Sequence, residues 1–442
     1  MPHPASEPHP ASSSATAPSR RRKRRTLSLG NLSAGTIGNV LEWYDFGLYG
    51  YLAPMIASLF FPSSDKIASL LGAYGGFAIG FMMRPIGGVI FGHLGDRVGR
   101  QTVLVTSVVM MGLATTAVGL LPTYQQIGFW APVLLLAVRL FQGLSVGGEF
   151  TGSVSYLVET APANRRGFAG SFANFGSTGG YLLAAGFAAL TTLMAGHHAV
   201  QGWAWRVPFL AGGVLAVLAY LVRSRLTDTG YEPDKAAEDD ELPIRQAFRR
   251  SPKIMLLAML FTWGYGVADY LTLVFLPTFG SKFGAISDSL ALEIVTVTQL
   301  FVLVLIPLTG WLTDHWILRR SWLIGNFGAL LVLALPFFAM AQGALTPFAI
   351  AQVVSGLMLG SIMGVAPAML SEQFRSEYRL SGYSLAFNVG LGIGGGTAPL
   401  IATALIGLTG VKLAAGAYLL VGCAMSVVAL WMLKDRGRQP LR

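Results

Sequence analysis

Apolar runs of about 20 residues alternate with short polar breaks along most of this chain. They fall at roughly 32–60, 68–92, 102–122, 128–158, 167–195 and 203–222, then at 254–279, 287–312, 322–341, 345–371, 380–408 and 411–433. About 20 apolar residues is the length an α-helix needs to cross a bilayer. The pattern therefore predicts an all-α membrane protein with twelve transmembrane helices in two six-helix bundles. Between them, RSRLTDTGYEPDKAAEDDELPIRQAFRRSPK (223–253) is the one long charged connection and reads as a solvated linker. The expected organisation is a disordered basic tail over 1–30, a first bundle over 31–222, the linker at 223–253, a second bundle over 254–434 and a short tail over 435–442.

Composition supports this reading. Hydrophobic residues make up 53% of the 442 and charged residues only 12%, against about a quarter charged in a soluble domain. The 54 glycines suit helices whose backbones approach closely in lipid. A single cysteine, Cys423, lies in an apolar run, so neither a disulfide framework nor a cysteine-based metal site is expected.

Charge settles orientation. The net charge of +10 is concentrated in loops rather than on a nucleic-acid-binding face, and no nucleic-acid partner is expected. With both termini inside, 25 of the 31 Lys and Arg residues fall in the termini and inward loops; Lys66, Arg206, Lys282 and Lys412 lie outward, and Arg84 and Arg139 fall within spans. Such asymmetry places the termini in the cytoplasm. RRRKRR (Arg20–Arg25) then lies just before the first span, where a basic cluster attracts anionic lipid. The Pro/Ser/Ala-rich start before it does not read as a signal peptide.

The halves echo each other. GHLGDRVGR (92–100) loosely matches GWLTDHWILRR (310–320), and ETAPANRRGFAGSFANFG (159–176) matches EQFRSEYRLSGYSLAFNVG (372–390). In the second match a Glu precedes an Arg by seven residues (Glu159 and Arg166, Glu372 and Arg379) and an Asn follows (Asn174, Asn388). Repeats of this kind are used by transporters, which bind substrate near the midplane between them.

At these residues the chain resembles the major facilitator superfamily. GHLGDRVGR is similar to the family's signature loop between helices two and three, and RLFQGLSVGG (139–148) to its helix-four motif. More narrowly, GNVLEWYDFGLYGY, FMMRPIGGVIFGHLGDRVGR, RLFQGLSVGGEFTG, the ETAPANRRG loop and WAWRVPF together resemble the metabolite:proton symporters. That group includes proline/betaine, α-ketoglutarate, shikimate and citrate carriers. FTGSVSYLVETAPANRRGFAGSFANFGS looks most like the proline/betaine type, although the chain ends at Arg442 without the coiled-coil extension of some osmosensing members. The second signature loop departs from the pattern, with Ile317 and Leu318 where Gly and Arg are usual. The resemblance implies a bacterial inner-membrane location, a carrier working by alternating access, a proton as coupling ion and no other cofactor.

Charges inside a bilayer are costly and need a partner, water or a function. Counting 1.5 Å per residue from the cytoplasmic end puts Glu42, Arg84 and Glu149 at one level, with Asp45 and Asp269 nearer the midplane and Arg139 in the outer half. The expectation is that Arg84 offsets Glu42 or Glu149, while the proton rides on an unpaired acid, Asp45 first and Glu42 second. Arg139 would bind a substrate carboxylate or hold neighbouring acids in register. Buried pairs of this kind also serve purely as helix fasteners. Asp96, Arg97 and Arg100, with Glu159, Arg165 and Arg166, would form a charge latch between the halves at the inner end. Trp43, Tyr44, Trp263 and Tyr270, with Phe150, Tyr156 and Tyr265, are candidate cavity aromatics, whose faces attract quaternary ammonium groups when they do not simply pack.

GLSVG (143–147) and GLGIGG (390–395) fit a serine-hydrolase and a dinucleotide pattern. Both lie in predicted membrane helices, without the strand those motifs require, and no enzyme activity is expected. His197 and His198 read as outer loop. The reading is a proton-coupled symporter importing a small polar, carboxylate-bearing solute and functioning as a monomer. The alternatives are a proline/betaine-type osmolyte symporter, an uncoupled facilitator or exporter, and a non-transporting sensor on the same scaffold.

Overall fold

The computed structural model describes residues 29–88, 90, 100–225 and 243–441. Among them it forms twelve helical rods and no strand. The first six are α1 (Leu29–Tyr51, continued by Ala53–Phe60), α2 (Lys66–Gly88), α3 (Arg100–Leu120), α4 (Trp130–Ser145, continued by Glu149–Thr160), α5 (Arg166–Ala199) and α6 (Arg206–Arg225). After a short helix, Pro243–Arg250, the chain forms α7 (Pro252–Asp269, Tyr270–Phe275, Leu276–Lys282), α8 (Asp288–His315) and α9 (Arg319–Met340). The series ends with α10 (Leu345–Met363, Ala366–Ser371), α11 (Arg379–Gly390, Leu391–Gly395, Gly396–Thr409) and α12 (Ala414–Met432).

Nine of these rods are long and apolar enough to cross a membrane by length and composition. Of the other three, α1, α3 and α5, α3 carries the shorter apolar stretch Val105–Leu120 among its described residues, and α1 holds both Glu42 and Asp45. The rod α5 runs 34 residues, about 51 Å at 1.5 Å per residue, which exceeds the bilayer core. Its helix continues through His197 and His198, where the sequence suggests a loop.

Several breaks have local causes. Pro54 stands in the first turn of the second segment of α1, a place where its missing N–H costs nothing. In α7, Pro277 cannot donate to the turn before it. That turn widens into a π segment over Tyr270–Phe275, whose end donates from Leu276 N–H back to the Leu271 carbonyl. A second π segment, Leu391–Gly395, is the Gly-rich run of α11. Single-turn π segments inside α-helices recur at functional sites.

Glycines let the rods close on one another. On the facing surfaces of α2 and α4, a Cβ on Gly143 would overlap the Gly80 carbonyl and one on Gly87 the Leu144 carbonyl. This is the small-residue packing of membrane helices. Within the halves, α1 packs on α5, α3 on α6, α9 on α12 and α7 on α12; between them, α5 packs along α8 and α2 along α11.

Candidate functional site

Two ion pairs are sealed inside the first half. Glu42 and Arg84 bind each other with exposures of 0% and 1%. The Arg84 guanidinium also lies 5.3 Å from the ring centres of Phe46 and Phe81 and 5.4 Å from that of Trp43. The second pair is Asp45 with Arg139, at 3.0 Å. Asp45 Oδ1 further accepts from Gln142 Nε2 and Thr115 Oγ1, each at 2.7 Å. Arg139 Nη1 is shared between Asp45 and Gln142 Oε1, and its guanidinium stands 3.6 Å from the Tyr49 ring centre. Three rods, α1, α3 and α4, thus meet on one carboxylate.

This corrects the expectation that Asp45 is unpaired. The depth count placed Arg139 further out, but its side chain is long enough to reach the Asp45 level. It also decides Arg84's partner, which is Glu42. Glu149 opens the second segment of α4 and is 9% exposed.

In the second half, Asp269 is the last residue before the π segment of α7 and is 1% exposed. Its Oδ1 has no hydrogen-bond partner. Tyr51, Tyr181, Tyr265 and Tyr270 stand within its electrostatic reach. Tyr51 and Tyr181 belong to the first half, so this group lies between the bundles. Across the same seam Gln299 Nε2 donates to the Tyr51 hydroxyl at 3.0 Å, and the Tyr270 ring packs on Phe77 and Phe81 at 5.4 and 5.1 Å.

The candidate aromatics separate. Trp43 and Tyr270 are central; Trp43 sits 5.5 Å from Tyr181 and 5.8 Å from Phe150, centre to centre. Tyr44 instead points into its own half, where its hydroxyl donates to the Pro208 carbonyl at 2.5 Å. Trp263 lies against Gly394 on α11, one residue from Gly395, which meets the Tyr270 ring.

At the end carrying the charged loops, the halves are joined by a reciprocal set of contacts. Arg379 binds Glu159 at 2.6 Å and Arg166 binds Glu372 at 3.4 Å. Each half supplies one acid and one base. The same exchange recurs one layer deeper, where Asn174 donates to the Met363 carbonyl at 2.7 Å and Asn388 to the Gly147 carbonyl at 2.9 Å. Asp314 then caps α5 across the seam, accepting from the N–H groups of Gly167 at 2.7 Å and Phe168 at 2.8 Å. A carboxylate suits a helix start because the backbone donors there lack partners. Arg319 anchors this cap, donating to Asp314 at 2.6 Å and to Glu372.

Of the expected latch, Glu159 and Arg166 therefore bridge the halves, whereas Arg165 is exposed in the loop. Asp96 and Arg97 lie outside the described residues, as do Arg20–Arg25, and Arg100 is described only as the backbone start of α3. Asp314, Arg319, Glu372 and Arg379 were not named as latch residues from sequence, although the Glu–Arg repeat contained two of them.

The latch closes on bare backbone. A Cβ on Gly167 would stand 2.5 Å from the Gly310 carbonyl oxygen, and one on Gly310 2.6 Å from that of Gly167. At the opposite end a Cβ on Gly407 of α11 would be 2.9 Å from Ile67 of α2, so the halves meet at both ends. Gly310→Leu should prop the charged end open. In a Cys423→Ser background, a cysteine at Ser171, buried beside this contact, should change from protected to reactive toward a water-soluble maleimide. Continued protection would show that the glycine contact does not control closure.

Two helical bundles facing each other across buried charges, latched at one end, define a multi-pass membrane transporter. The sequence profile described as "Sugar (and other) transporter" matches residues 32–231, and that of the Major Facilitator Superfamily matches 265–442. The shikimate transporter of Escherichia coli K12 is 35% identical over 435 residues, covering 95% of this chain and 98% of its own. The proline/betaine transporter of the same strain is 31% identical over 427 residues, covering 93% and 84%. A crystal structure of the D-xylose-proton symporter overlays with a TM-score of 0.70 at 16% identity, covering 93% of this chain and 99% of that one. This chain belongs to the major facilitator superfamily, as a transporter and not an enzyme.

Proposed function

We propose that the protein is a proton-coupled symporter that imports a small, carboxylate-bearing organic solute by alternating access. The observation that carries this reading is the Asp45–Arg139 pair, buried at 0% and 1% exposure between α1 and α4. A proton taken up by Asp45 removes its charge and dissolves the ion pair. Arg139, whose Nε and Nη2 have no hydrogen-bond partner, can then turn to a solute carboxylate. Proton and solute are thereby admitted together, and neutralising the site lowers the cost of carrying charge through a closed intermediate. No cofactor other than the proton is invoked.

The named relatives favour a small polar solute, since they are transporters for proline and betaine or for shikimate. The distribution of Lys and Arg favours a cytoplasmic latch end, with both termini on that side of an inner membrane. Arg20–Arg25 would there meet anionic lipid, and one chain would suffice as the working unit. Rocking of one half against the other would break the Glu159–Arg379 and Arg166–Glu372 pairs as the cytoplasmic end opens.

Proteoliposome uptake tests the reading. A labelled panel of proline, glycine betaine, shikimate, α-ketoglutarate and citrate, with and without an inward proton gradient, should give accumulation of one solute only with the gradient. Asp45→Asn should abolish accumulation and keep counterflow exchange. Proton-driven accumulation that survives Asp45→Asn removes Asp45 from the coupling step.

A further inference from the structure

We propose that Asp269, with the tyrosines around it, is the subsite for a positively charged group, so that the transported solute is an ammonium carboxylate rather than a plain anion. The inference rests on reading the space between the halves as the solute path, and it adds a second pole to that path. The groups described so far in the first half come as closed pairs: Glu42 takes Arg84, and Asp45 takes Arg139. Asp269 has no such counter-charge among the described residues, and its Oδ1 accepts no hydrogen bond. A buried carboxylate of this kind is expensive to hold ionised without a cation beside it.

The surroundings suit an organic cation. The hydroxyls of Tyr181 and Tyr270 neighbour one another, and no other group takes them in a hydrogen bond. Tyr51 and Tyr181 present rings with centres 6.2 Å apart. Tyrosine faces attract ammonium groups, most strongly where water is excluded. The π segment starting at Tyr270 loosens α7 immediately after Asp269, leaving backbone that can adjust around a guest.

The opposite pole is Arg84. Its Nη2 is taken by Glu42, but Nε and Nη1 have no partner, and it lies within electrostatic reach of Tyr270. Tyr270 is thus common to both poles. A solute with a cation at one end and a carboxylate at the other would place the first at Asp269 and the second on the first-half arginines: on the open donors of Arg84 at entry, and on Arg139 once Asp45 has taken its proton. The Trp43 indole N–H, also buried and without a partner, lies in the same region.

The test is binding to the purified full-length carrier by isothermal calorimetry, which needs no gradient and is independent of proton coupling. Two probe pairs differ essentially in the positive charge: glycine betaine against 3,3-dimethylbutanoate, and proline against cyclopentanecarboxylate. The wild-type protein is expected to bind the cation-bearing member of at least one pair tighter by about tenfold or more, a difference of about 1.4 kcal/mol. Asp269→Asn should erase that preference while leaving the affinity of the isostere without the cation in place, and Asp269→Glu should retain part of it. Equal affinity for both members of both pairs in the wild type overturns the proposal and requires no variant. A preference that survives Asp269→Asn also overturns it. So does an Asp269→Asn carrier with unchanged preference but altered proton-to-solute stoichiometry, which would make Asp269 a proton site.

Discussion

Arg319→Ala should destabilise the closed carrier by about 3–5 kcal/mol, because it takes the arginine from buried Asp314 and leaves Glu372 only its longer contact with Arg166. Arg319, Asp314 and Glu372 are each about 1% exposed at their side chains. Losing the arginine frees Asp314 from its anchor, so the cap on Gly167 and Phe168 weakens as well. The protein should then populate conformations open at the charged end, read as maleimide reactivity of a cysteine at Ser171, together with a lower unfolding temperature in detergent. Lysine should rescue only part of the loss, since it cannot present two parallel donors to two carboxylates. An Arg319→Ala protein as stable and as closed as wild type would make the latch an incidental surface feature.

The second large effect concerns Glu42 and Arg84. Arg84→Met alone takes from buried Glu42 its arginine and should cost about 3–5 kcal/mol, whereas Arg84→Met with Glu42→Leu should recover most of that loss. Pairs buried this deeply add little net stability over an apolar replacement of similar volume. Thermal unfolding of the four members of the cycle measures the recovery. If the double variant is as unstable as the single one, the pair is not an isolated fastener. The rescued protein should fold and still bind carboxylates poorly, because the open donors of Arg84 are gone.

Much of this was legible in the sequence. Twelve apolar runs mark the twelve rods because length and hydropathy decide membrane crossing almost alone. Glu42, Asp45, Arg84 and Arg139 stand out because charge is rare in such runs. Their pairing was not legible. Depth along a helix fixes the level of a Cα, not the reach of an arginine, so Asp45 was expected to stand unpaired while Arg139 in fact folds onto it. The hydrogen-bonding partners Thr115 and Gln142 carry no charge and gave no signal. Tyr44 was grouped with the central aromatics by helix number, yet the direction of a side chain around its helix decides what it meets. The interruption of α4 between Ser145 and Glu149 lies in a Gly-rich stretch, LSVGG, whose composition suits close packing and breaking equally well.

The exchange of Glu159 with Arg379 and of Glu372 with Arg166 has a simple geometric meaning. In a two-fold homodimer, residue i of one copy meets residue j of the other, and j meets i in return. These four residues obey that rule within one chain, as do Asn174 and Asn388 one layer deeper. Each half is therefore self-complementary at its latch: the acid and the base that close the seam are both encoded in a single six-helix unit. A gene carrying one such unit would already specify the contact on both sides of the axis, and fusing two copies would preserve it without inventing a new residue. What fusion adds is freedom for the two halves to differ. Their buried acids do differ: Asp45 pairs with Arg139, while Asp269 has no arginine partner among the described residues.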